Sequence, residues 1–172
     1  DAGYLQVQIG APSVVPSPDG LDVSVQIDEG RLFRVGKLEV TGDETVDIEA
    51  LQKLLKLSEG DVVNRSHLTE DVRTLSDHYA DRGYYFANVA PLTSVRPDAD
   101  LVDVTFQIRK GPLYFIREVD ISGNTITVDP VVRREVQIAE GQLYSQRLIN
   151  LSRARIEQLG FFEEVNVEMD PT

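Results

Sequence analysis

The sequence predicts an α+β protein made of tandem copies of one strand–helix–helix–strand–strand module. Three observations predict it. First, residues 26–43 (QIDEGRLFRVGKLEVTGD) recur as residues 107–124 (QIRKGPLYFIREVDISGN), 81 positions later, with five identities and seven like-for-like pairs. Self-similarity at a fixed offset marks a repeat architecture in which each copy is one supersecondary unit. Second, apolar residues alternate with polar ones in short runs bounded by Gly, Pro and Asp, the pattern of half-buried strands. Third, between these runs lie stretches with apolar residues at helical spacing and a glycine beyond them.

Residues 1–30 read as a hairpin. Leu5, Val7 and Ile9 alternate, a turn-rich stretch covers 12–20, and alternation resumes at Leu21, Val23, Val25 and Ile27. From Leu32 the apolar positions are Phe33 and Val35, then Leu38 and Val40, so the alternation slips near Gly36 and Lys37. Tyr114, Ile116, Val119 and Ile121 repeat the slip in the next copy. A short extended linker entering a core strand through a bulge accounts for it, because one extra residue on a strand shifts its phase. Gly42-Asp43 and Gly123-Asn124 end the strand in a turn.

A helix is predicted over about 45–55, with Ile48, Leu51, Leu54 and Leu55 at helical spacing. Its counterpart carries Val131, Val132 and Val136, with Thr127 as N-cap and Pro130 in the first turn, where a missing N–H does no harm. Glu59-Gly60 and Glu140-Gly141 are read as closing these helices, glycine being the usual left-handed cap. A second helix follows Asn64 in one copy and Ser145 in the other. Its buried stripe is predicted as Leu68, Val72, Leu75 and Tyr79, and as Leu148, Leu151, Ile156 and Leu159. Gly83 and Gly160 end the two.

Beyond Gly83 the offset falls from 81 to 77, a loss of about one helical turn that keeps a helix in phase. An aromatic pair follows each glycine, Tyr84-Tyr85 or Phe161-Phe162, and then a strand. The first copy runs to a turn at Arg96-Pro97-Asp98 and returns along Leu101, Val102, Val104, Phe106 and Ile108. The second reaches Val165 and Val167 and lacks the return. Residues 31–110 therefore hold one whole module, 1–30 the last two strands of a preceding one, and 111–172 a module without its last strand.

Composition narrows function by exclusion. Acids outnumber bases 29 to 17, for a net charge of −12, which argues against a nucleic-acid footprint or a polybasic membrane patch. With no cysteine, disulfides, thiol catalysis and cysteine-based zinc sites are out. Apolar residues at 41% and charged ones at 27% are ordinary for a folded chain. The first residue, Asp1, fits an excised or processed segment.

The module order, the linker and strand in GPLYFIREVDISGN, and the aromatic glycine turns in YADRGYYFANV and QLGFFEEV resemble POTRA domains, the polypeptide-transport-associated modules of outer-membrane assembly factors. The resemblance covers essentially the whole chain and rests on ordered recurrence, not on any single motif. It implies a three-stranded mixed sheet covered by two helices, with the closing strand in the centre. For function it implies a periplasmic scaffold that receives unfolded outer-membrane β-barrel proteins, engages accessory lipoproteins and leads to its own C-terminal membrane barrel. A two-partner secretion transporter and a mainly structural docking arm are the alternatives. A third module without its central strand either continues in further chain or borrows the hairpin 1–30 of a neighbouring molecule.

No catalytic residue, cofactor or metal site is expected. His67 and His78 stand eleven apart on one predicted helix, the wrong spacing for paired ligands, and the adjacent Asp77 faces elsewhere. Asp28-Glu29, Glu70-Asp71 and Glu163-Glu164 read as solvated charge, since no calcium-loop or paired-carboxylate pattern surrounds them. One ring of each aromatic pair should be core. The functional expectation falls on the uncharged strand predicted after Gly83: Tyr84, Tyr85, Phe86, Ala87, Asn88 and Val89 as an edge that binds an extended client strand. Gly30, Phe33 and Val35, with Gly111, Tyr114 and Ile116, are expected to form two semi-rigid joints between modules.

Overall fold

The computed structural model describes residues 3, 4, 7–18, 20–43 and 45–170. Leu5, predicted in the first strand, lies outside them. The chain divides into two compact units, Asp1–Val72 with Ala90–Gln107, and Arg73–Val89 with Ile108–Thr172.

In the first unit, β1 (Gln8–Ile9) pairs antiparallel with β4 (Ile27–Asp28), and β2 (Ser13–Ser17) with β3 (Gly20–Ser24). The turn is thus confined to the residues around Ser17 and Gly20. Most of the stretch read as turn is strand, because Val14 pairs with Val23 and Pro16 with Leu21. Next come β5 (Arg34–Thr41), α1 (Ile48–Gln52) and α2 (Arg65–Ala80), then β6 (Asn88–Arg96) and β7 (Leu101–Arg109). The sheet order is β5-β7-β6, with β5 and β7 parallel. Strict alternation on β7 buries Val102, Val104, Phe106 and Ile108 to 2% exposure or less, as a strand covered on one face requires.

The predicted slip in β5 is a register shift between Val35 and Leu38. Asp103 holds it open, accepting the Lys37 N–H at 2.7 Å and pairing with Arg96 at 2.5 Å. Those two contacts, in that order, keep the Asp103 carboxyl below its ordinary pKa. A Cβ on Gly36 would land on the Asp103 carboxylate and the Arg96 guanidinium, so a larger residue there would have to displace that ion pair.

Helix α1 is shorter than predicted and starts later, with Asp47 accepting the Glu49 N–H at 3.0 Å as N-cap. The chain leaves the helix before Leu57 because Asp71 takes its N–H groups: Lys56 N at 2.6 Å and Leu57 N at 3.1 Å. Asp71 is fully buried, not the solvated charge expected. Gly60 therefore caps no helix. It turns with φ +88° and donates its N–H to Val35 O at 2.8 Å. Asn64 caps α2 as predicted, accepting from Ser66 N at 2.9 Å.

In the second unit, α3 (Asp129–Arg133) begins after Val128, which replaces the predicted cap Thr127 and makes no side-chain capping bond. Gly141, like Gly60, lies well past its helix. Ser145 caps α4 (Gln146–Gln158), accepting the Leu148 N–H at 3.3 Å. The inward stripe of α4 is Ile149, Ser152 and Ile156, not one through Leu148 and Leu151. Ser152 faces inward because its hydroxyl accepts the Gln137 N–H at 2.7 Å and donates to Leu148 O at 2.8 Å. Among the described residues, the segments predicted as strands through Val119 and Ile121, and through Val165 and Val167, carry no strand pairing.

Candidate functional site

Two junctions, 81 residues apart, are built by the same backbone bonds. In the first unit Phe33 N donates to Gly3 O at 2.9 Å, Val63 N to Phe33 O at 3.1 Å, Val35 N to Asp61 O at 2.8 Å, and Gly60 N to Val35 O at 2.8 Å. In the second unit Tyr114 N donates to Gly83 O at 2.8 Å, Tyr144 N to Tyr114 O at 2.9 Å, Ile116 N to Gln142 O at 2.8 Å, and Gly141 N to Ile116 O at 2.7 Å. The entry segment of each repeat is thus clamped between the glycine loop before it and the loop after its own first helix.

The glycines Gly3 and Gly83 are as central as the residues expected there. Both have positive φ, +75° and +95°. A Cβ on Gly3 would meet Val62 at 2.6 Å and Leu32 at 2.9 Å; on Gly83 it would meet Leu143 at 2.9 Å and Leu113 at 3.0 Å. Each glycine is therefore lodged between two aliphatic side chains of the following repeat. Sequence reasoning read Gly83 only as a helix end, and the recurrence of Leu32/Leu113 was the available signal for the rest. Of the residues expected at the joints, Phe33, Val35 and Ile116 are buried, Tyr114 is half-buried, and Gly30 and Gly111 turn the chain at φ +71° and +67°.

The six residues expected to form a client edge divide between two places. Tyr84 to Ala87 lie in a turn closed by Ala87 N donating to Tyr84 O at 3.1 Å, and strand β6 begins only at Asn88. The rings explain the late start. Tyr85 packs edge-on against Tyr144 with centroids 5.0 Å apart and against Tyr114 at 6.1 Å, and Phe86 meets Tyr114 at 5.5 Å. Tyr85, Tyr114, Ala80, Val119 and Ile138 pack on the buried group Ile116, Tyr144 and Ile149, so these aromatics hold the second junction. Lys110 stands over the Tyr84 ring at 5.6 Å, within reach of cation–π attraction. Asp81 ties the same junction, accepting from Arg147 N at 2.7 Å and from the Ser145 hydroxyl at 3.1 Å at the start of α4. Burial first, then Tyr85, Asp81 and Asp77, push the Tyr144 phenol up to about 12.

Asn88 and Val89 open β6, an outer strand of the three. Val89 is buried, whereas every residue from Pro91 to Arg96 is exposed, Leu92 at 53%. No charged side chain occurs in 84–95. Pro91 is the one feature that blunts the edge, and proline in a sheet sits where the missing N–H would have faced outward. Among the described residues no cluster of His, Cys, Asp or Glu could hold a metal ion, and no helix is long and apolar enough to cross a membrane.

The POTRA family, described as a surface antigen variable number repeat, matches residues 33–111 and 114–172. The outer membrane protein assembly factor BamA of Nitratidesulfovibrio vulgaris is 33% identical over 99% of this chain, and that of Neorickettsia risticii 34% over 96%. This chain spans 22% of the length of each. The crystal structure of Haemophilus influenzae BamA POTRA3-5 superposes over the entire chain and 69% of its own, with TM-score 0.79 at 24% identity. That of Haemophilus ducreyi BamA lacking POTRA domains 1-3 superposes over 80% of this chain and 26% of its own, with TM-score 0.72 at 25% identity. With the repeat, the sheet order and the junctions in place, this chain belongs to the POTRA family, as a tandem segment of the BamA type.

Proposed function

We propose that this chain is the periplasmic arm of an outer-membrane β-barrel assembly factor, and that β6 receives unfolded barrel proteins by β-augmentation. The carrying observation is the outer strand Asn88–Arg96, exposed from Pro91 onward and without charge up to Val95. An extended client adds to such an edge through main-chain bonds, and alternate side chains set its register. A few bonds at about 0.5–1.5 kcal/mol each give weak, sequence-tolerant binding, which suits a client that must be passed on. The junctions carry the complementary role, clamping the entry segment of each repeat between the loops on either side of it. Accessory lipoproteins and the protein's own membrane barrel are the further partners in this reading, and no step of it is catalytic.

Pro91 supplies the test. Main-chain groups on a strand alternate sides with period two, so if the nitrogen of Pro91 faces outward, those of Thr93 and Val95 do too. Thr93→Pro would remove an outward donor without breaking the ladder to β7. In an NMR titration with an unfolded barrel-strand peptide, amide shifts should centre on 88–95 and vanish in Thr93→Pro. Shifts on the exposed helix faces that persist in Thr93→Pro would favour the docking-arm reading instead.

A further inference from the structure

Strand β5 is the other outer strand of the sheet β5-β7-β6, yet its outward main chain is already occupied. Backbone covers the first part: Val63 N donates to Phe33 O and Val35 N to Asp61 O. Past the bulge the cover changes to side chains. Leu38 N donates to the Glu59 carboxylate at 3.2 Å, and the amide of Gln52, the last residue of α1, donates to Leu38 O at 3.1 Å. The same two bonds recur 81 residues on. Val119 N donates to the Glu140 carboxylate at 3.1 Å, and the guanidinium of Arg133, the last residue of α3, donates to Val119 O at 3.2 Å. The carboxylate is kept and the donor changes from amide to guanidinium, while the main-chain targets stay the same. Asp129 fixes that guanidinium through two further bonds, at 2.9 and 3.0 Å.

Stability of the fold does not ask for this. The bonds of Glu59, Glu140 and Arg133 lie at the surface, where water serves a main-chain group nearly as well. Holding two long side chains in one arrangement also costs rotamer entropy. What water does not do is keep another chain away. An outer strand with free N–H and C=O groups is a template for pairing. Main-chain groups alternate sides along a strand, so Leu38 and Val40 share the outward side and an added chain would bond at both. We infer that Glu59 with Gln52, and Glu140 with Arg133, are specificity determinants. They act as side-chain plugs that close the outer side of β5, and of its counterpart at Val119, to extended polypeptide. Strand addition is thereby confined to β6, where residues 88–95 carry no charged side chain. The inference rests on the edge-strand reading for its client, and on the paired bonds for the plugs.

The test is a titration of an unfolded barrel-strand peptide into the whole chain, followed by NMR and repeated on plug variants. In the unmodified chain the amides of 37–41 should not shift. Glu59→Ala should bring a new set of shifts at 37–41, and Glu59→Gln, which keeps an acceptor oxygen at the same reach, should not. Gln52→Ala clears only the Leu38 carbonyl; it should bring a weaker set, and it decides the matter where Glu59→Ala does not fold. Shifts at 37–41 in the unmodified chain, none there in either alanine variant, or equal shifts in Glu59→Gln and Glu59→Ala would each overturn the inference. The two readings separate cleanly. Shifts at 88–95 and never at 37–41 remove the plugs and keep the β6 edge. Shifts at 37–41 in Glu59→Ala with none at 88–95 keep the plugs and remove that edge.

Discussion

Asp71 and Ser152 occupy the same position on the second helix of successive repeats, and each takes a backbone N–H four residues past the first helix: Lys56 N at 2.6 Å, Gln137 N at 2.7 Å. The carboxylate also holds Leu57 N at 3.1 Å, whereas the hydroxyl uses its proton on Leu148 O. Both are buried. One address in the repeat thus accepts either residue type because the need is for an acceptor, not for charge.

Asp71→Ala should be among the most damaging single changes here. It strands two N–H groups away from water, at about 1–3 kcal/mol each. Ser152→Ala should cost about 1 kcal/mol, and Asp71→Ser should recover part of the Asp71→Ala loss. Urea unfolding, with amide exchange of Lys56 and Leu57, measures this. An Asp71→Ala loss no larger than that of Ser152→Ala would contradict it.

Gly83→Ala should exceed Gly141→Ala in cost. Both positions have positive φ, which disfavours alanine by about 1–2 kcal/mol. Only at Gly83 would the added methyl also press on Leu113 and Leu143; at Gly141 nothing lies within 4 Å. The difference should be about 1–3 kcal/mol, the usual range for overpacking. Equal losses in denaturant titrations would mean that the junction yields.

Tyr144 predicts a loss of stability in base. Its phenol titrates at about 12 against an ordinary 10.0, mainly because it is buried. Between those values the unfolded chain gives up the proton and the folded chain keeps it, so unfolding gains ground as pH rises. The contribution is complete below pH 10.0 and is lost as pH passes through 12. Thermal melts across that range should flatten in Tyr144→Phe.

His78 works at the opposite end. Burial, and then the Arg82 guanidinium, hold its pKa below the ordinary 6.5 against a smaller opposing pull from Asp81. The unfolded chain therefore takes up the proton first, and stability falls as pH drops below 6.5 and through the folded value. The same melts in acid should show a smaller decline for His78→Gln.

What the sequence made legible was whatever repeats. The 81-residue recurrence foretold two helices in each copy and, in the first, the three strands and the register shift beside Gly36. It did not foretell features that depend on a contact from elsewhere in the chain. Asp71 looked solvated because an acid on a helix usually is, and only its position opposite Lys56 and Leu57 turns it inward. Strand β6 starts at Asn88 rather than Tyr85 because Tyr114 and Tyr144 capture the rings before it, pairings across about thirty and about sixty residues that period-two alternation cannot report. The same capture moved Tyr84, Tyr85 and Phe86 from the expected edge to the junction.

The lodging of Gly83 between Leu113 and Leu143 has a consequence for heredity. The unit that folds and the unit that can be copied or exchanged without harm are out of phase. A segment cut at Gly111 carries the socket but leaves behind the plug, which belongs to the loop some thirty residues upstream. Recombination between arrays would preserve the latch most cheaply when it joined partners that both offer glycine on one side and two aliphatic side chains on the other. Swapped modules from distant relatives should therefore fail first at this seam, while each still folds.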